Sequence, residues 1–86
     1  MRYTVVLAPP ARKFLSRLSD ATQRARFERV IDALAENPRP VGCKALQGLR
    51  GAFRIHVGGF RILYQIEADR LLVLVTGIGP RGQIYR

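Results

Sequence analysis

The chain has 86 residues, and fifteen basic against six acidic side chains give it a formal charge of +9. That length allows one domain with room for one core and one main site, and the 48% apolar content excludes a disordered chain. A single cysteine, Cys43, excludes an internal disulfide framework and a thiolate zinc cluster, and reads as a small apolar residue in a reducing compartment. The longest purely apolar run, Leu71 to Val75, falls far short of the roughly 20 residues that span a bilayer. Val5 to Ala8 is too short for the core of a signal peptide, so the expectation is a soluble, cytoplasmic protein with no membrane partner. Thirteen of the fifteen basic residues are arginine, whose planar fork suits phosphate oxygens. The balance leans towards a polyanionic partner, nucleic acid or acidic protein, although an arginine-favouring genome leaves the same mark.

Arg2 to Ala8 is rich in β-branched and aromatic residues and stops at Pro9-Pro10, which predicts a first strand. Prolines are tolerated in the first helical turn, so a short helix follows with Phe14, Leu15 and Leu18 on one face. Ser19-Asp20 interrupts it and can cap a second helix over Ala21 to Glu36. There Phe27, Val30, Ile31 and Leu34 recur at helical spacing, and Asn37-Pro38 ends the run. Residues 38–51, with two prolines and three glycines, read as a long connecting loop.

After the loop the period changes from helical to alternating. Phe53, Ile55 and Val57 alternate with Arg54 and His56, the pattern of a half-buried strand, and Gly58-Gly59 supplies a tight turn. The next strand, Phe60 to Ile66, sets Phe60, Ile62, Tyr64 and Ile66 on one face and Arg61, Leu63 and Gln65 on the other. Glu67 to Arg70 turns the chain, and Leu71 to Ile78 is apolar on both faces, as a central strand should be. The expected fold is α+β in the order β-α-α-β-β-β, a single domain over 1–86 whose mostly antiparallel four-stranded sheet packs on a helical hairpin.

The charge is uneven along the chain. Residues 1–36 hold seven basic and four acidic side chains, whereas residues 37–86 hold eight basic and two acidic ones, Glu67 and Asp69, both at a turn. If the apolar faces of the two hairpin strands meet the helices, Arg54, His56 and Arg61 all emerge on the opposite face. Like charges on neighbouring strands repel, which suggests an anion there, although a solvated outer sheet face has the same pattern.

Five pieces of this sequence, in order, resemble the RelE/ParE superfamily of type II toxins over nearly the whole chain. They are the strand and basic helix YTVVLAPPARKFLSRL, the second amphipathic helix ending in Asn-Pro, the loop KALQGLRG (Lys44 to Gly51), the hairpin AFRIHVGGFRILYQI (Ala52 to Ile66) and the end IGPRGQIYR. The hairpin is the most specific, matching the family's aromatic–arginine–x–basic–x–glycine–x–aromatic–arginine pattern. The resemblance is to the RelE branch, whose members adopt a RelE-like microbial ribonuclease fold and cut mRNA in the ribosomal A site. In that reaction the 2′-hydroxyl attacks the adjacent phosphate, and neither metal nor other cofactor is needed.

Carried over position by position, the resemblance assigns the catalytic set Arg54, His56, Arg61, Arg81 and Tyr85, with Lys44, Arg50, Arg54 and Arg61 binding RNA. Arg54 and Arg61 suit the phosphate oxygens as bidentate clamps, and Arg81 suits the charge on the leaving group. Tyr85 is a base only if neighbouring arginines lower its pKa, and otherwise stacks on or orients a nucleobase. Two departures stand out: His56 occupies a position usually held by lysine or arginine, and Pro80 precedes Arg81 where relatives often carry a basic residue. The implied partners are an acidic antitoxin, the ribosome with its mRNA and, through the antitoxin, operator DNA. A ParE-like gyrase inhibitor on the same fold and a non-catalytic RNA-binding module are the alternatives.

Overall fold

The computed structural model describes residues 2–80. Strand β1 (Thr4–Leu7) leads into helix α1 (Pro9–Ser16) and helix α2 (Ala21–Glu36). The strands β2 (Lys44–Ala45), β3 (Ala52–Val57), β4 (Phe60–Glu67) and β5 (Leu72–Pro80) follow. They form one mixed sheet in the order β1-β5-β4-β3-β2, with β1 parallel to β5 and the other neighbours antiparallel. Arg81 and Tyr85 lie outside the described residues.

Local chemistry accounts for the helices. Pro9 and Pro10 occupy the first turn of α1, where a missing N–H goes unnoticed. The Asp20 carboxylate caps α2, accepting from the N–H groups of Thr22 at 2.9 Å and Gln23 at 3.2 Å. Asn37 ends α2 with extended backbone and Pro38 follows, a residue that cannot donate to the preceding turn. The four strands expected from alternation are all present, and the sheet gains a fifth, β2, inside the segment read as loop. Two residues cannot show a period. What creates β2 is the turn after it, where Leu46 N–H donates to the Ala52 carbonyl at 2.8 Å and Gly48 and Gly51 adopt left-handed φ values of 77° and 75°. The turn at Glu67 to Arg70 is also tighter than expected, β4 running through Glu67 into a 3₁₀ turn over Ala68–Arg70.

The helices cover one face of the sheet. Phe27, Ile31 and Leu34 of α2 and Leu15 of α1 meet Val57, Ile62, Tyr64, Ile66, Val73 and Val75 in a single buried cluster. Phe14, Phe27 and Phe60, one ring each from α1, α2 and β4, pack edge to face with centroids 5.5–5.6 Å apart. At the other end Tyr64 stacks on Phe53 and donates its hydroxyl to the Pro38 carbonyl at 2.8 Å, tying the chain just past α2 to the sheet. Burial first, and a hydrogen bond with Cys43 second, push the Tyr64 hydroxyl above its ordinary pKa, so it stays a donor throughout the physiological range.

Removing that hydroxyl leaves the Pro38 carbonyl without its Tyr64 donor. Tyr64→Phe should cost about 1 kcal/mol, seen in urea unfolding as a lower midpoint with unchanged slope. Phe27→Ala removes a ring shared by three elements, should cost about 3–5 kcal/mol, and should leave little folded protein at 37 °C.

Candidate nucleic-acid interface on the open sheet face

The face of the sheet away from the helices is built by cross-strand pairing, because residues paired across adjacent strands share a face. Lys44 pairs with Arg54, Arg54 with Leu63, and His56 with Arg61. Lys44, Arg54, His56 and Arg61 therefore stand together across β2, β3 and β4. Glu67 lies on this face too, but six residues further along β4, about 20 Å from Arg61 at strand rise, and its carboxylate is 3.6 Å from the Arg70 guanidinium. The basic end of the face is thus separated from the nearest strand carboxylate.

The side chains differ in depth. Lys44 and His56 are exposed, and Arg54 is half-buried. Arg61 departs from expectation. It sits on the expected face, yet only 7% of it is exposed, and its Nη1 donates to the Pro80 carbonyl. Gly79, its partner on β5, lies beside it: a Cβ there would stand 3.7 Å from Arg61 Nη1, an ordinary contact distance. Alternation reports the face of a residue, whereas its depth is set by a carbonyl nineteen residues further on.

Arg54 and His56 interact directly, with Arg54 Nη1 3.2 Å from His56 Nε2. A guanidinium has no acceptor, so this contact is a hydrogen bond only in the tautomer that leaves the lone pair on Nε2.

Beside this row lies a groove of about 480 Å³ between the β2–β3 turn and the outer side of β4, lined among others by Leu49, Arg50, Arg61, Leu63, Gln65 and Thr76. Arg50 and Arg61 line it as well as standing in the sequence-derived set. Leu49, Gln65 and Thr76 were not singled out from sequence. Gln65 was legible as outward-facing, but Leu49 enters only once the turn folds back. Thr76 is the extra residue of a β-bulge, since Leu63 pairs with Gly77 and Tyr64 with Val75. Among the described residues no group of three or more His, Cys, Asp or Glu side chains could hold a metal ion, and no helix is long and apolar enough to cross a membrane.

A small mixed sheet, covered by two helices on one side and basic on the other, is a build that comparison with known proteins can test. The model of the ParE toxin of the type II toxin–antitoxin system parDE matches residues 5–85. Toxin RelG of Mycobacterium tuberculosis is 31% identical over 86 residues, spanning 100% of this chain and 99% of that protein. A putative RelE-like toxin protein of Escherichia coli is 30% identical over 83 residues, covering 94% of this chain and 85% of its own length. Among solved structures, the archaeal RelE of the RelE–RelB complex from Pyrococcus horikoshii superposes with a TM-score of 0.84 at 24% identity, covering 98% of this chain and 100% of that one. The fold is therefore RelE-like. The chain belongs to the RelE/ParE superfamily of type II toxin–antitoxin toxins.

The Arg54–His56 bond has a direct spectroscopic consequence. Imidazole ¹⁵N shifts should show His56 protonated at Nδ1 in its neutral form, against the usual preference for Nε2. In Arg54→Leu the Nε2–H tautomer should regain the majority, and an Nε2–H majority already in the unaltered protein would contradict the assigned donor.

Proposed function

We propose that this toxin is a ribosome-dependent endoribonuclease that cuts mRNA in the ribosomal A site. The observation that carries the reading is the Arg54–His56 pair, a guanidinium and an imidazole at hydrogen-bond distance on a basic, helix-free sheet face. Cleavage by a neighbouring hydroxyl makes a bond from the 2′-oxygen to phosphorus and breaks the bond from phosphorus to the 5′-oxygen. The products are a 2′,3′-cyclic phosphate and a 5′-hydroxyl. A base must take the 2′-proton, cations must hold the phosphorane oxygens, and the leaving oxygen must be stabilised or protonated.

Arg54 and His56 can divide the first two tasks by exchanging partners. A phosphate is a stronger acceptor for a guanidinium than a neutral imidazole is, so an arriving phosphodiester draws Arg54 away from Nε2. His56 then faces the substrate as the base. Arg61, held on the Pro80 carbonyl, adds charge beneath the site and fixes the strand end that leads to Arg81. Lys44 and Arg50 extend the cationic surface along the RNA strand. The roles of Arg81 at the leaving oxygen and Tyr85 as base or stacking platform rest on the sequence resemblance. An acidic antitoxin of the RelB kind is the neutralising partner, and the pair binds operator DNA through the antitoxin.

A second reading, inhibition of DNA gyrase, is favoured by the ParE character of the matching family model. A translating extract supplied with purified protein separates the two when mRNA ends are mapped and gyrase supercoiling is assayed in parallel. Discrete cuts are expected only with ribosomes present, because a site of arginines, a histidine and a tyrosine depends on outside help to align the 2′-hydroxyl. Rapid cleavage of naked RNA would overturn the ribosome dependence, and gyrase inhibition without cuts would establish the second reading. Binding that weakens steeply with salt and yields no product would mark a non-catalytic RNA-binding module.

Arg54→Ala and Arg81→Ala should each lower cleavage by about 10²–10³-fold, the usual loss for one electrostatic donor, while thermal stability changes little for Arg81→Ala. Arg81→Lys should restore only part of the rate, since a lysine lacks the planar fork.

A further inference from the structure

The groove between the β2–β3 turn and the outer side of β4 has a construction that phosphate binding does not explain. We infer that it receives a nucleobase of the bound RNA strand, with the Gln65 side-chain amide reading the base edge. The inference rests on the cleavage reading for the identity of the strand, but its geometry stands alone.

The walls are apolar and held in place. Leu49 is 59% exposed although large and apolar, and it faces Leu63 across the groove. The turn carrying Leu49 is bound to the sheet on both sides. Ala52 N–H donates to the Leu49 carbonyl at 3.2 Å and Ile66 N–H to the Gly51 carbonyl at 2.8 Å. A Cβ on Gly51 would come within 3.1 Å of the Ile66 carbonyl, so the turn sits tight against β4. A wall fixed by backbone bonds offers a flat aromatic ligand a ready surface without an ordering cost.

Gly77, across from Leu63 on the same face and next to the bulge at Thr76, has no left-handed φ, and a Cβ built on it meets no described atom within 4 Å, so it leaves the sheet open beside the groove. Gln65 is half-buried in the lining, and its amide has no hydrogen-bond partner among the described residues. An amide both donates and accepts, which is what a base edge requires. Arg50 and Arg61 at the same groove supply the charge that a flanking phosphate needs, which favours a nucleotide over an uncharged aromatic ligand. The volume of about 480 Å³ lies in the range of small-ligand sites.

Two measurements test the site. In the first, isotope-labelled protein is titrated with the four nucleoside 5′-monophosphates and with ribose 5-phosphate. The Gln65 side-chain amide and the Leu49 and Leu63 methyl signals should move with one or two of the nucleotides and stay still with ribose 5-phosphate. Equal movement with ribose 5-phosphate, or none with any nucleotide up to about 10 mM, a ligand weaker than the millimolar range, would overturn the inference.

In the second, mRNA ends are mapped in a translating extract for the unaltered protein, Gln65→Leu and Gln65→Glu, each checked for an unchanged melting profile. Gln65→Leu should flatten the base preference at one codon position to within about twofold, the scale left when a polar reader is lost to an isostere. Gln65→Glu, which only accepts, should turn the preference towards bases presenting an amino group. Cuts whose base preference survives in both Gln65 variants would overturn this site and leave the cleavage reading intact. Nucleotide-specific shifts at Gln65 in a protein that cuts nothing would overturn the cleavage reading and leave the base site standing.

Discussion

The alternation of β4 governs the rest of this molecule. It is the middle strand of five, and its odd and even positions are divided between two environments. Ile62, Tyr64 and Ile66 close the core against α1 and α2, while Arg61, Leu63 and Gln65 form the open face. Shifting the register by one residue would drive a guanidinium and an amide into the cluster around Phe27, a cost no marginally stable 86-residue domain could meet. The pairing that buries the core is therefore the same pairing that sets His56 opposite Arg61 and Arg54 opposite Leu63. Stability and surface chemistry are fixed by one constraint.

This coupling explains why so much was legible in the sequence. Strong periods bury themselves predictably: α2 spans Ala21–Glu36 with Asp20 as its cap, as the pattern required, and β3 to β5 fall where the alternation and the apolar run set them. The family resemblance rested on the same segments. What escaped was everything decided by distant partners. β2 exists because the turn through Gly48 and Gly51 brings Leu46 back to Ala52, and two residues carry no period of their own. The depth of Arg61 goes with its bond to the Pro80 carbonyl, on a different strand. The Arg54–His56 contact shares its face with the alternation but owes its distance to rotamers, which composition does not encode. The groove needed both the folded turn and the bulge at Thr76 before it could be seen.

Membership of a superfamily with more than one kind of target moves the question of function from the backbone to the open face. One fold hosts unrelated activities when the residues displayed on it differ, and this sheet, with its helical cover, is compatible with either reading. A gyrase inhibitor needs a complementary protein surface, and an imidazole beside a guanidinium contributes little to one. A nuclease needs a group able to accept a proton, next to a cation able to hold a phosphate, where a nucleic acid can reach both. Arg54 and His56 meet that description in two residues of one strand. The replacement of a family lysine or arginine by His56 is then a change in the kind of group available, from a cationic side chain to an imidazole.

The same face also bears on how such a toxin is restrained. Lys44, Arg54 and Arg61 stand on adjacent strands, and their mutual repulsion raises the free energy of the unbound protein. Any polyanion that covers them relieves that repulsion and, by binding only the folded form, stabilises it. RNA and an acidic antitoxin are alike in this respect, so on the reading proposed above they compete for one store of electrostatic free energy. Neither needs to distort the fold to displace the other. On that reading, the +9 charge that draws the toxin to RNA is also the handle by which a partner without phosphates holds it back.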